Sequence, residues 1–269
     1  MGHQALIVYQ QSDAIISGDL EREVYSVIRR VKRPAILSFH AAVALAFMTR
    51  YLSEAIRSAS ATDQTCNWSS VLDVGSGTGL LMLMLAQRSD AAIHGIEIEP
   101  GCYQQLQQNI GQSPWSARMQ VFNDDARTYT FPLQYDFIIS NPPFYEKDLS
   151  SIVEGRQLAM HSKQLNLEEL VTVIVQNLSP TGSAGIMLPW HRSAEFTSLA
   201  AAHNLHLCEE LRIKQTPKHD WFRFIGTYSH QKKTTIPQTD LIIKSDQTYT
   251  PPFKTLLRDY YLHLDQPTP

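Results

Sequence analysis

Cysteine is scarce: Cys66, Cys102 and Cys208 are odd in number, scattered and without Cys-x-x-Cys spacing. That set excludes a disulfide framework and a zinc site, so reduced thiols and no metal are expected. Long hydrophobic runs are also lacking, since no uninterrupted apolar stretch reaches the ~18 residues that span a membrane. Ala41 to Met48 is apolar, but Arg50, Glu54 and Arg57 follow closely, which fits a core-facing helix. Met1 to Leu20 has neither a basic start nor a continuous apolar centre, so no signal peptide is expected and the chain reads as cytoplasmic. Positive charge is not in excess either. A formal net charge of −3 excludes nucleic-acid binding over the whole surface and leaves room for a local basic rim. There is no internal repeat.

What is present is an ordinary globular composition, 43% hydrophobic and 18% charged, in 269 residues, enough to bury a substantial core. From Ser70 onward, short apolar runs alternate with helical stretches. This predicts an α/β fold, a parallel sheet covered by helices on both faces. The expected strands are Val71–Val74, Ala92–Glu97, Met119–Phe122, Tyr135–Ile139 and Gly185–Leu188. Helices are expected from Leu80, over Gly101–Ile110, over Leu167–Leu178 and over Ser193–His203, with Ser179-Pro180-Thr181-Gly182 stopping the third. Leu207–Gln215 and Phe222–Ser229 form an expected antiparallel hairpin at one edge of the sheet. Residues 1–66 read as an N-terminal extension with helical stretches at Leu20–Arg30 and Phe39–Ile56 and a polar run at Ser58–Asn67. Residues 67–264 form the α/β domain, and 265–269 a tail.

The heptapeptide Asp73-Val74-Gly75-Ser76-Gly77-Thr78-Gly79 follows the first apolar run and opens a helix, the context in which a glycine pattern serves a ligand. Glycines let the backbone turn sharply and approach a bound molecule closely. Here Gly75, Gly77 and Gly79 alternate behind an acid, unlike the Gly-x-Gly-x-x-Gly spacing that receives a pyrophosphate. The variant suits a ligand carrying an amino-acid ammonium group. At the end of the second strand, Glu97 can accept from both ribose hydroxyls of a nucleoside. Glu99 competes for that role, but Pro100 puts it in the turn, so Glu97 is preferred. Asn123-Asp124-Asp125-Ala126 follows the third strand, and Asp125 is the choice to accept from an adenine amino group. Helix capping is the alternative role for these acids, above all Asp125 and Glu99. Successive strand ends supplying glycines and then carboxylates favour the ligand, because open α/β sheets bind beyond the carboxyl ends of their strands.

Ser140-Asn141-Pro142-Pro143-Phe144 closes the fourth strand. An exocyclic amine on an aromatic ring is a poor nucleophile because its lone pair is delocalised into the ring. The Asn141 side-chain oxygen and the Pro142 carbonyl can accept its two hydrogens and favour a pyramidal nitrogen. Pro142 and Pro143 stiffen the turn by fixing φ, and Phe144 offers a face on which a flat acceptor stacks. An ordinary strand-ending turn is the alternative, since Pro-Pro is common in loops. Beside the glycine motif, the turn points to methyl transfer from S-adenosylmethionine to a planar nitrogen. In-line positioning would supply much of the rate, with no metal or covalent nucleophile required.

The run from Asp73 to Arg88, with its glycine motif, resembles class I S-adenosylmethionine-dependent methyltransferases. Tyr135 to Tyr145, Gly185-Ile186-Met187-Leu188-Pro189, Tyr249-Thr250 and Tyr260-Tyr261-Leu262 extend the resemblance to the bacterial enzymes that methylate adenine N6 in the anticodon loop of a valine tRNA. It covers roughly Asn67 to Leu264, and those enzymes' usual Phe-Lys-Gln-Phe and Lys-Val-Gly-Thr-Asp-Gly segments have no counterpart here. The resemblance implies a Rossmann-like seven-stranded sheet, mostly parallel with an antiparallel edge hairpin. It implies cofactor contacts at Asp73, Gly75, Gly77, Gly79, Glu97 and Asp125, and catalysis at Asn141, Pro142 and Phe144. Pro143, Tyr145 and Arg192 are the expected substrate contacts, on a monomer acting on the adenosine 3′ of the anticodon. Lys147, Arg156, His161, Lys163, His191, Arg192, Lys214, Lys218 and Arg223 fall on segments that rim the acceptor side and as a set favour RNA contact. Trp190 and Trp221 read either as core residues or as stacking platforms, with the core favoured by base rate. A protein glutamine amide as methyl acceptor, and a cofactor-binding chain without activity, are the competing readings.

Overall fold

The computed structural model describes residues 68–86, 89–142, 165–246 and 248–257. The expected N-terminal extension, its helices and the tail lie outside the described residues. Beginning at β1 (Ser70–Val74), the chain runs through α1 (Leu80–Ala86), β2 (Ala92–Ile96), α2 (Pro100–Gly111), β3 (Met119–Phe122) and β4 (Tyr135–Ser140). It continues through α3 (Leu167–Asn177), β5 (Leu178–Pro189), α4 (Ser193–Ala202), β6 (His206–Lys214), β7 (Trp221–Ser229) and β8 (Gln238–Ile242). The short strands β9 (Lys244–Ser245) and β10 (Thr248–Tyr249) pair with one another ahead of α5 (Pro251–Leu257).

β1 to β8 form one sheet in the order β3-β2-β1-β4-β5-β7-β6-β8. β7 is antiparallel to both its neighbours, and the other pairings are parallel. The expected hairpin of β6 and β7 is present, and β8 pairs parallel to β6 beyond it, so the sheet has eight strands and not the expected seven. Gln238–Ile242 lacks a strand pattern because its first three residues are exposed and only Leu241 is buried.

β1 is buried over Val71 to Val74, as a strand covered on both faces must be. Val71 packs with Leu81 to Ala86 of α1, Leu106 and Ile110 of α2, and Phe253 and Leu256 of α5. Leu72 and Val74 turn to the opposite layer, with Leu170, Val171 and Ile174 of α3 and Phe196 and Ala200 of α4. α2 starts where Glu99 caps it, its carboxylate accepting from the Cys102 N–H at 2.6 Å, and Pro100 follows in the first turn. α3 starts at a reciprocal capping box between Asn166 and Glu169.

β5 departs from expectation at its start. Ser179-Pro180-Thr181-Gly182 ends α3 as predicted, yet the strand assignment already runs from Leu178. Its register against β4 jumps from Tyr135↔Leu178 to Phe137↔Ser183, so the breaker residues are absorbed as an irregularity inside the ladder. Pro180 has no N–H to give to a ladder, and a side chain at Gly182 would lie 2.9 Å from the Tyr135 carbonyl oxygen.

Because Leu170 is buried and Asn166 only caps, the two residues of this region should differ in weight. Leu170→Ala should destabilise by about 3 kcal/mol through the cavity it leaves, and Asn166→Ala by about 1 kcal/mol. Equilibrium urea unfolding measures both, and equal losses would contradict this ranking.

Candidate active site

The glycine loop bridges the carboxyl ends of β1 and β2. Gly75 and Ser76 both donate their N–H groups to the Ile96 carbonyl, at 3.0 and 3.1 Å, drawing the turn across β2. The Ser76 hydroxyl donates back to the Asp73 carbonyl at 2.8 Å. Gly77 and Gly79 have φ of 55° and 86°, left-handed conformations that a side chain disfavours. At Gly79 a side chain would also meet Leu106 Cδ1 of α2. Glycine is thus required there by both backbone and packing.

Two carboxylates lie beside this loop, with unlike surroundings. Glu97 accepts from the Gly77 N–H through Oε2 and from the Glu99 N–H through Oε1, each at 2.8 Å. Its backbone is fixed too, since its carbonyl accepts from the Asn123 side chain at 2.8 Å. Asp73 is fully buried, and among the described residues neither of its carboxylate oxygens has a hydrogen-bond partner. Burial first, and then the charge of Glu97, push its carboxyl up to about 8. An unpaired buried carboxylate beneath a glycine turn fits the ammonium group of an amino-acid ligand, whose charge would offset that burial. Glu99 is engaged as the cap of α2, which leaves Glu97 as the acid facing the loop.

Asp125 follows β3, and its carboxylate is gripped by Arg127. Arg127 Nε lies 2.9 and 3.0 Å from the two Asp125 oxygens and Nη2 2.6 Å from Oδ2. The Arg127 N–H also donates to Oδ1 at 3.0 Å. These bonds hold the Asp125 carboxyl below the usual carboxylate range. Arg127 reaches onward to Glu169 Oε1 of α3 at 3.3 Å. The sequence reading missed Arg127 and Asn123. The signal available for each was a polar residue beside a strand-end acid, which is too common to single out.

On the other flank, β1 and β4 run parallel with Val74 opposite Ser140. The Ser140 hydroxyl is buried and donates to the Val74 carbonyl at 2.8 Å, tying the last residues of the two strands together. Gly75 and Asn141 therefore leave adjacent strands at the same sheet edge, about 5 Å apart in the pairing direction. This is the point where the strand order reverses, where such sheets bind ligands. Asn141 is partly exposed and Pro142 is buried. Pro143, Phe144 and Tyr145, with Lys147, Arg156, His161 and Lys163, lie outside the described residues.

Arg192 lies in a short 3-10 turn, Trp190–Arg192, beyond the carboxyl end of β5 and so at the same edge. It is partly exposed and paired with Glu195, with Nε to Oε2 at 2.6 Å. Trp190 and Trp221 are both partly buried, and Trp190 packs against the core on the α3 and α4 side of the sheet. They lie against each other with ring centroids 6.2 Å apart, because β5 ends and β7 begins at one edge. Among the described residues no group of three or more His, Cys, Asp and Glu could hold a metal ion. No described helix is long and apolar enough to cross a membrane.

Residues 49–182 match the family model of the methyltransferase small domain. A Flavobacterium johnsoniae protein named tRNA1(Val) (adenine(37)-N6)-methyltransferase is 35% identical over 72% of this chain and 85% of its own length. One of the same name from Pectobacterium carotovorum subsp. carotovorum is 33% identical over 72% of this chain and 80% of its own. The chain belongs to the tRNA1(Val) (adenine(37)-N6)-methyltransferase family. Its methyl donor is S-adenosylmethionine, in keeping with the ammonium-sized demand of Asp73. Solved structures agree on the fold of this methyltransferase. An Agrobacterium tumefaciens protein described as a predicted O-methyltransferase superposes with TM-score 0.56 at 18% identity, covering 81% of this chain and 96% of its own. A Listeria monocytogenes protein, described as a putative class I S-adenosylmethionine-dependent methyltransferase, gives 0.58 at 14% identity, covering 89% and 78%.

The Asp73 environment sets a pH dependence for the enzyme free of cofactor. Burial and the Glu97 charge raise its folded carboxyl from the ordinary 3.8 to about 8, so the folded state holds the proton more tightly than the unfolded one. That contribution is complete below pH 3.8 and is lost as pH rises towards 8. Asp73→Asn should therefore flatten the fall in stability across this window. Urea unfolding at a series of pH values checks it; a wild-type slope unchanged in the variant would contradict the assignment.

Proposed function

We propose that this enzyme methylates the exocyclic N6 of an adenine in tRNA, the adenosine immediately 3′ of the anticodon in a valine tRNA, by direct in-line transfer. The observation that carries the reading is the Ser140–Val74 tie, which brings the ends of β1 and β4, and so the glycine turn and Asn141, side by side at one sheet edge. S-adenosylmethionine supplies an electrophilic methyl group on a sulfonium sulfur.

Asp73 would bind the ammonium group, the Gly75–Gly79 turn would pass close to the amino-acid moiety, and Glu97 would accept from the ribose hydroxyls. Its oxygens each hold one backbone N–H already, and each has a further lone pair for a hydroxyl. Asp125 would accept from the adenine amino group of the cofactor, with Arg127 holding its carboxylate in place. Asn141 and the Pro142 carbonyl would accept the two hydrogens of the target amine, which turns the nitrogen lone pair out of the ring plane. Phe144, Pro143 and Tyr145 would pack around the flat base, and Arg192 would meet RNA once its exposed pair with Glu195 opens. The proton leaves a nitrogen made cationic by methylation, so no strong base is needed.

Removing an adenine from an anticodon loop costs less than flipping one from a duplex, which suits a site built as an open edge. The reading assigns methyl transfer to residues 67–264, with 1–66 as an added segment and 265–269 as a tail. It implies a monomer in the cytoplasm, where dispersed thiols remain reduced.

Asn141→Ala should lower methyl transfer to unmodified tRNA by about 100-fold or more, as losing a well-placed polar group does, with cofactor affinity nearly unchanged. Labelled cofactor with unmodified bulk tRNA, and release factor in a parallel sample, measures this; mass spectrometry of digested tRNA locates the product. Label in release factor alone would sink the adenine reading, as would full turnover in Asn141→Ala. Asp73→Asn should weaken cofactor binding by about 10- to 100-fold, the worth of a charged hydrogen bond, as read by calorimetry.

A further inference from the structure

The charge balance of the chain reverses locally on the β6–β7 hairpin. Residues 212–223 carry Arg212, Lys214, Lys218 and Arg223 against one acid, Asp220, in a chain of formal net charge −3. Arg212 is held by Asp240, Nε to Oδ1 at 2.7 Å. The Lys214 ammonium lies over the Trp221 ring, 4.4 Å from its centroid, and the Arg212 guanidinium carbon lies at 5.1 Å. Trp190 packs beside Trp221 and also against Phe224, whose centroid is 6.4 Å away. Both tryptophans remain partly exposed. Two indoles left partly in water forgo burial that a core position would give them. Aromatic faces flanked by cations are the construction that binds single-stranded nucleic acid.

Position completes the case. Lys214 pairs with Trp221, and Pro189 with Arg223, so the hairpin turn projects beyond the carboxyl ends of β5 and β6. That is the edge from which Asn141 emerges after β4. β7 lies two strands from β4, about 10 Å away in the pairing direction, within reach of a nucleotide near the one presented at Asn141.

We infer that Trp221, with Trp190 beside it, is a stacking platform for a loop nucleotide flanking the methylated adenine, and that Lys214 swings off the Trp221 ring to meet its phosphates together with Lys218. The inference rests on the RNA reading of the active site given above and names the surface that would hold that RNA. Stacking tolerates sequence, so the platform would fix register without choosing the base.

The test uses the full chain and a fluorescently labelled valine-tRNA anticodon stem-loop, with affinity read by anisotropy and methylation read in the same samples. Trp221→Ala should weaken RNA binding by about 10-fold, and Trp221→Phe by less than about threefold because an aromatic face remains. At saturating RNA, kcat of Trp221→Ala should stay near that of wild type, so the loss falls on KM. Lys214→Gln and Lys218→Gln should each reduce the slope of log Kd against log salt by about one, which a merely structural role would not do. Cofactor binding by calorimetry, unchanged in each variant, shows that the fold is intact. Wild-type RNA affinity in Trp221→Ala would overturn the platform, as would failure of the wild-type enzyme to bind the stem-loop. A wild-type enzyme that binds the RNA through Trp221 but leaves it unmethylated would uphold the platform and overturn the adenine reading instead.

Discussion

The pairing of β1 with β4 is the constraint on which the site depends. Both strands are buried on two faces, so their register is set by the packing of Val71, Leu72, Phe137, Ile138 and Ile139 against helices of both layers. A slip of one residue would turn every side chain to the wrong face and is strongly disfavoured. Ser140 reinforces the last step by giving its hydroxyl to the Val74 carbonyl. The glycine turn and Asn141, 66 residues apart in sequence, thereby leave neighbouring strands at one edge. Methyl transfer needs that kind of rigid juxtaposition more than it needs a reactive side chain.

Around this edge the enzyme distributes its carboxylates by solvation. Glu97 accepts from two backbone N–H groups, and Asp125 sits in the grip of Arg127. Asp73 has neither, so its negative charge is costly until a cation arrives. Three acids of similar chemistry thus acquire three different roles from what surrounds them. The Arg127 bridge adds a link between layers, because Glu169 at its far end also completes the capping box of α3. α3 is therefore anchored to the loop that follows β3.

Much of this fold was legible in the chain. The strands before β6 announce themselves as short apolar runs. Glu99-Pro100 marks the start of α2, and Asn166 with Glu169 that of α3, through caps that act within one turn. β8 was not legible, because an edge strand with exposed Gln238, Thr239 and Asp240 needs no apolar pattern and owes its existence to the ladder of β6. The bulged start of β5 was read only as a helix stop. Pro180 and Gly182 do stop the helix, and only the register of β4 shows that the strand has already begun. Trp190 and Trp221 looked like core residues because large apolar side chains usually are. Their partial exposure follows from the sheet order, which brings the end of β5 beside the start of β7 at an open edge.

By itself, the sequence determined the chemistry on offer: an acid ahead of three alternating glycines, two later strand-end acids, and an Asn-Pro-Pro-Phe turn. Those are local facts, set by backbone conformation and side-chain type over a few residues. The tertiary structure decided which of them meet, and with what charge. Among the described residues it left the Asp73 carboxylate without a hydrogen-bond partner, engaged Glu99 as a helix cap, paired Asp125 with Arg127, and brought two tryptophans and a lysine to the sheet edge from which Asn141 emerges. Burial and long-range pairing depend on residues far apart along the chain, and only the folded sheet fixes the distances between them.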